Sequence, residues 1–378
     1  MTPDTQAGRT AEAPRTLLPS LSGVADAWEL AVGPLERARR WMWRVGCKLR
    51  IGRTAVRDRP FRLSVVASFH IVVALALTAV APLWLLLLGP LLLGVPHIVS
   101  DVRYLVVRPP RPLGRAPILV ITAGLAGMTA LRFGAALGGP VLLDWEIALG
   151  GGAILGAIAL TPGPTALRGL ALAVVGALTI YGVVHPYDTA LWVGHLHNLV
   201  AFGWWLVLAR DGGSWRRVAV VAALYVAAVA AILAGAFDGL FALAWSGDAA
   251  GLGLDELALS LAPGAEPVWA VRWVTLFAFA QSVHYAVWLR LVPQRSAARR
   301  APPSLDRSVR DLRADLGRWG LRAAVFASLA IPVAALVDAA GTRHFYLLLA
   351  LFHGWLELAV LSALLVARRR ASEPGATA

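Results

Sequence analysis

Sulfur and charge are both scarce in this chain. Among its 378 residues there is one cysteine, Cys47, and only 15% are charged. A single cysteine excludes a disulfide framework and any cysteine-based metal or redox motif, so a metal here must be held by nitrogen and oxygen ligands. The shortage of charge, beside 58% hydrophobic residues and a mean hydropathy of +0.68, excludes an ordinary soluble domain. The chain reads as an all-α, polytopic membrane protein. No secure internal repeat stands out, and low-complexity sequence is confined to the tails.

The net charge of +13 does not call for nucleic acid, because the arginines cluster at the ends of apolar segments, as the positive-inside rule expects. The first sixty or so residues form a Pro/Thr/Ala-rich polar leader without an apolar h-region, so no cleavable signal is expected and the amino terminus is placed in the cytoplasm. Within this leader (1–60), Trp28, Leu30, Leu35, Trp41, Trp43 and Val45 interleave with Arg37, Arg39, Arg40, Arg44 and Lys48. That pattern fits an amphipathic helix lying on an anionic leaflet, with a helix that docks on a soluble partner as the alternative.

A helix crosses a bilayer with about 20 apolar residues. Such stretches fall at 62–80, 84–107, 116–135, 142–160, 166–184, 189–209, 216–236, 267–290, 319–338 and 344–366. The count is therefore about ten transmembrane helices within 61–367, followed by a short tail, 368–378. Every second loop is basic: Arg103 to Arg115, Arg168, Arg210 to Arg217, Arg290 to Arg322, and Arg368 to Arg370. The intervening loops carry His185, Asp188, Asp238, Asp248, Asp255, Glu256 and Glu266. Both termini are accordingly expected in the cytoplasm of a multi-pass protein of the bacterial inner membrane. Two loops are long enough for structure of their own. GLGLDELALSLAPG, within 237–266, fits a short amphipathic helix, and Ser304 caps an expected helix through LDRSVRDLRADLGRW.

Against this apolar background four histidines are conspicuous: His97, His197, His284 and His353, each inside a separate apolar stretch. An ionisable side chain in hydrocarbon is costly, so each is a functional-site candidate. Asp101 follows His97 by four residues and Glu357 follows His353 by four, which places imidazole and carboxylate on one helix face. Such an acid binds metal itself or orients a histidine through its other ring nitrogen. The plainer alternative is a pair of mutually satisfying contacts stapling helices together. His195 and His197, two apart, point in nearly opposite directions, so only one of them is expected at a shared centre. Counted from the basic ends, His97, His197 and His353 fall at similar depth, whereas His284, six residues from Arg290, falls nearer the basic side. His70 fits a hydrogen-bonded helix contact, and His185 and His344 fall at helix ends.

Histidines with carboxylates suit iron, copper, zinc or manganese. Four histidines placed singly on four helices favour a multi-histidine mononuclear or dinuclear centre over bis-histidine haem.

GVPHIVSD, with Gly94, Pro96, His97 and Asp101, resembles the Gly-x-Pro-His-x-x-x-Asp helix of the Brp/Blh family of membrane β-carotene 15,15′-dioxygenases. AQSVHYAVW, through Ser282, His284, Tyr285 and Trp288, is similar to a later helix of that family, although Gln281 stands where the family has a histidine. LFHGWLE is similar to its last histidine helix. The resemblance implies that His97, His197 or His195, His284 and His353 bind non-haem Fe(2+), that Asp101, Gln281 and Glu357 assist, and that a carotenoid or other hydrophobic small molecule arrives from the lipid bilayer. Some of Trp84, Trp204, Trp205, Trp273, Trp288 and Trp355 would line an apolar slot. A histidine/carboxylate transporter or proton-coupled permease is the competing reading.

Overall fold

The computed structural model describes residues 22–109, 113–210, 215–240, 249–296 and 304–367. The first part of the polar leader, Asp248, Pro302, Pro303 and the tail with Arg368 to Arg370 lie outside the described residues. Regular structure among the described residues is helical throughout, apart from one isolated bridge between Ala249 and Leu252.

The chain opens with α1 (Ser22–Lys48) and α2 (Arg50–Arg57). Then follow α3 (Arg59–Val80), α4 (Pro82–Val107), α5 (Arg115–Ala136), α6 (Leu143–Leu160), α7 (Thr165–Val184), α8 (Pro186–Arg210) and α9 (Trp215–Leu233). The short α10 (Leu254–Leu261) lies in the acidic loop as expected from its sequence. After it come α11 (Pro267–Ala286), α12 (Leu305–Ala335) and α13 (Ala339–Val366). Eight of these, α3 to α9 and α13, are long and apolar enough to cross a membrane.

Local signals explain the boundaries. The Asp58 carboxylate caps α3, accepting from Phe61 N at 2.9 Å, and Arg217 Nη1 donates to its other oxygen at 2.7 Å, tying the start of α3 to α9. Both contacts hold the Asp58 carboxyl below its usual range, the backbone N–H of Phe61 most of all. Ser304 Oγ accepts from Arg307 N at 3.3 Å and starts α12. The solvated helix and the span expected at 319–338 are two arms of this one element, meeting at Gly317, whose φ of 70° is open to glycine and strained for other residues. On the first arm Asp315 accepts from Arg103 Nε at 2.6 Å and is also paired with Arg108, which fastens it beneath α4.

The main core gathers residues of α3, α6, α8, α9, α11 and α13, with Trp205, Phe279 and Trp288 among its fully buried members. A smaller core on the acidic side joins Leu83, Leu86, Leu87 and Leu91 of α4 to Leu252, Leu257 and Val274. α7 has one fully buried residue, Gly182, and packs on the core through the half-buried Ala171, Leu172 and Val175, with most of its other side chains exposed.

Candidate metal centre

Three of the four helices that carry these histidines depart from α-helical winding close to them, whereas α8, with His197, is α-helical throughout. α4 contains two π-helical turns, Gly89–Leu93 before His97 and Val102–Val107 after Asp101. α11 passes directly from His284 and Tyr285 into a third, Val287–Leu291. In α13 the winding breaks at Leu351, two residues before His353. Wide turns of this kind free backbone carbonyls that a neighbour must satisfy. Pro90 has no N–H to offer the carbonyl of Leu86 four residues earlier, and Arg343 Nε donates to it at 2.7 Å. The Trp288 carbonyl accepts from Ser100 Oγ at 2.6 Å. These two bonds stitch α4 to α13 and to α11 on either side of His97.

The four histidine rings form one cluster. His97 lies with its ring centroid 4.7 Å from that of His284 and 4.8 Å from that of His353, and the His197 ring is 5.1 Å from His284 and 5.3 Å from His353. The Nε2 atoms of His97 and His284 are 2.7 Å apart. Glu357 Oε1 stands 3.4 Å from His284 Nε2 and 3.8 Å from His97 Nε2, and Asp101 Oδ2 stands 3.1 Å from His97 Nε2. His97 and His284 are 1% exposed, Asp101 and Glu357 0%. One donor atom each from His97, His284, His353 and Glu357 falls within 4.8 Å of all the others.

His197 flanks this group of four. Its Nδ1 meets the Val193 carbonyl at 3.1 Å, and His353 Nδ1 meets the Ala350 carbonyl, so in both rings Nε2 is the free nitrogen. Backbone carbonyls therefore orient these two imidazoles, a role expected for the acids. Asp101 and Glu357 instead approach Nε2 atoms that face one another: Glu357 joins the group of four close donors, and Asp101 stands beside His97. His195 is turned away: its Nε2 meets the Leu261 carbonyl at 2.9 Å and its ring packs on Trp273 and Phe277, fastening α8 to α10. Gln281 donates to the Tyr285 hydroxyl at 3.3 Å. His70 bonds back to Val66 within its own helix, and His185 packs on Tyr181.

The depth expected for His284 is corrected by the course of its helix. Arg290 is not at the helix end; the winding continues through Val292–Ser296, and counted from there His284 is as deep as its partners. Of the tryptophans expected in a slot, Trp205, Trp288 and Trp355 are buried in the core while Trp84 points outward.

The donor set fits a metal ion. An ion bound by imidazole at about 2.0–2.1 Å sets neighbouring donors roughly 3 Å apart, and the separations here, 2.7, 3.1, 3.4 and 3.8 Å, bracket that spacing. Neither oxygen of Asp101 makes a hydrogen bond among the described residues, and for Glu357 the Trp288 indole N–H is a donor close by. Buried carboxylates so placed must bind a proton or face a cation. The fold and the site define a class: an all-helical, polytopic membrane protein with a buried histidine/glutamate group able to hold a metal. Comparison of the chain with protein-family models, with curated proteins and with solved structures finds no match in any of the three.

Proposed function

We propose that this chain is an integral-membrane, non-haem iron oxygenase acting on a carotenoid or similarly apolar lipid. The observation that carries this reading is the convergence of His97, His284, His353 and Glu357 from three helices, with His197 from a fourth, inside an apolar bundle. The similarity of GVPHIVSD and AQSVHYAVW to the Brp/Blh dioxygenases supports the choice of iron and of a polyene. When bound, ferrous iron supplies the redox chemistry by which dioxygen attacks a carbon–carbon double bond.

Charge favours a single ion. Four neutral imidazoles with two carboxylates carry a formal charge of −2, and one divalent cation brings this buried group to zero, which a low-dielectric interior favours. His97, His284, His353 and Glu357 hold the ion. Asp101, beside His97 Nε2, balances its charge. His197, oriented by the Val193 carbonyl, offers Nε2 at the edge of the group. The surrounding core, with Trp288 and Trp355, excludes water from the reacting atoms. Gln281 acts on the site only through Tyr285.

α11 with its π-helical extension and the second arm of α12 are read as two further spans, giving about ten in all. The arginine-rich loops and both termini then face the cytoplasm of a bacterial inner membrane. The test is turnover. Protein purified in detergent and loaded with ferrous iron should convert a polyene to carbonyl products under air, with both product oxygens drawn from one O2. His97→Ala should abolish this. A wild-type protein that holds iron but leaves a panel of carotenoids and unsaturated lipids intact would refute the oxygenase reading.

A further inference from the structure

A strip of polar side chains leads from the metal group towards the acidic side of the bundle. At its far end is Arg343, 9% exposed, on the first turns of α13. Its Nε is committed to the Leu86 carbonyl. No hydrogen bond or ion pair to a described residue is found for its two terminal nitrogens. Glu256 of α10 acts on it only at a distance. Between Arg343 and the centre lie two buried tyrosines. The Tyr285 hydroxyl accepts from Gln281, and its ring centroid stands 5.1 Å from that of His97. Tyr346 lays its hydroxyl against Gly94, one turn before His97, where a side chain would collide with it: a Cβ on Gly94 would stand 2.2 Å from that oxygen. Gly89 likewise leaves room for the Tyr285 ring.

Patching the carbonyl exposed by Pro90 accounts for one N–H of Arg343 and leaves its planar fork without a partner among the described residues. A guanidinium is permanently cationic, repels an incoming metal ion and matches the geometry of an oxyanion. A ligand made only of hydrocarbon gives nothing to a buried charge in a membrane bundle. We propose that Arg343, assisted by Tyr285 and Tyr346, anchors the oxyanion end of an otherwise apolar ligand whose chain runs to the metal centre. Ten residues separate Arg343 from His353 and eleven separate Leu86 from His97, so along either helix the anchor lies about 15 Å from the centre. The inference rests on the metal-centre reading and narrows its substrate class to an acyl-chain carboxylate or phosphate.

The experiment is equilibrium binding of palmitate, methyl palmitate and hexadecyl phosphate to the purified full chain in nanodiscs, with metal content measured on the same samples. Wild type should bind palmitate or the phosphate at least about tenfold more tightly than the ester, the scale of a lost charged hydrogen bond. Tighter palmitate assigns the site to a free fatty acid, tighter phosphate to a lipid headgroup. Arg343→Gln should erase the preference without changing bound metal. Arg343→Lys keeps a donor for the Leu86 carbonyl but lacks the fork, and should weaken the preference in a folded protein. Equal affinity for acid and ester in wild type, or a preference that survives in Arg343→Gln, overturns the anchor. Absence of metal from all samples, with the preference intact, overturns the metal reading instead.

Discussion

The Nε2 atoms of His97 and His284 stand 2.7 Å apart although 187 residues separate them in the chain. Two imidazoles meeting nitrogen to nitrogen beside a carboxylate share whatever cation the site holds. His97→Ala and His284→Ala should therefore lower metal retention to the same extent. His195→Ala should leave bound metal unchanged and instead speed hydrogen exchange in Leu254–Leu261, the segment it fastens. Metal loss in His195→Ala comparable to that in His97→Ala would contradict this assignment.

Glu357 and Asp101 should differ in degree. Glu357 belongs to the group of four mutually close donors, whereas Asp101 contacts His97 alone. Glu357→Gln should weaken metal binding more than Asp101→Asn, whose effect should resemble the roughly 10–100-fold loss seen when a supporting partner is removed. Competitive chelator titration measures both.

Close packing at Gly94 gives a stability prediction. Gly94→Ala forces its Cβ onto Tyr346 Oη and should cost roughly 1–3 kcal/mol, as overpacking does. Combining it with Tyr346→Ala should cost less than the sum of the two single changes. Thermal unfolding in detergent reads the coupling, and strict additivity would show that the two residues do not meet.

The solvated amino-terminal helix offers a pH test. Arg39 and Arg40 donate to the Glu36 carboxylate and hold its carboxyl down to about 2, from 4.5. Because the folded value is lowered, the contribution is complete above 4.5 and is lost as the pH falls towards 2. Carboxyl-resolved NMR should give Glu36 a midpoint near 2 in wild type. In a protein with both arginines replaced by glutamine the midpoint should return towards 4.5. A wild-type midpoint near 4.5 would mean the contacts do not persist in solution.

Cys47 is the chain's single cysteine, which makes sidedness easy to measure. An impermeant thiol reagent should label Cys47 only from the cytoplasmic face and a Ser260→Cys, Cys47→Ser protein only from the opposite face. Labelling of both from one side would break the proposed ten-span arrangement.

The helical class was legible because a long apolar run is a property of composition, and the spans from 62–80 to 216–236 coincide closely with α3 to α9. The pairing His97–Asp101 was legible because four residues make about one helical turn, whereas Glu357, four residues after His353, approaches His284 and His97 from the other helices. The choice of His197 over His195 was not, since helical rotation separates the two without saying which faces inward. The depth of His284 was misjudged because Arg290 looked like a helix end, and a π-helical turn leaves no mark in a hydropathy pattern. Arg343 was missed for a related reason: its role follows from a carbonyl bared by Pro90 on another helix. That signal exists only once the two helices are side by side.

The most direct test is the metal content of the purified, reconstituted wild-type chain, by mass spectrometry, beside His97→Ala. Wild type should hold about one divalent ion per chain and His97→Ala close to none while remaining folded and extractable. Less than about a tenth of an equivalent of iron, copper, zinc or manganese in wild type, or equal metal in both proteins, would contradict a metal centre at His97, His284, His353 and Glu357.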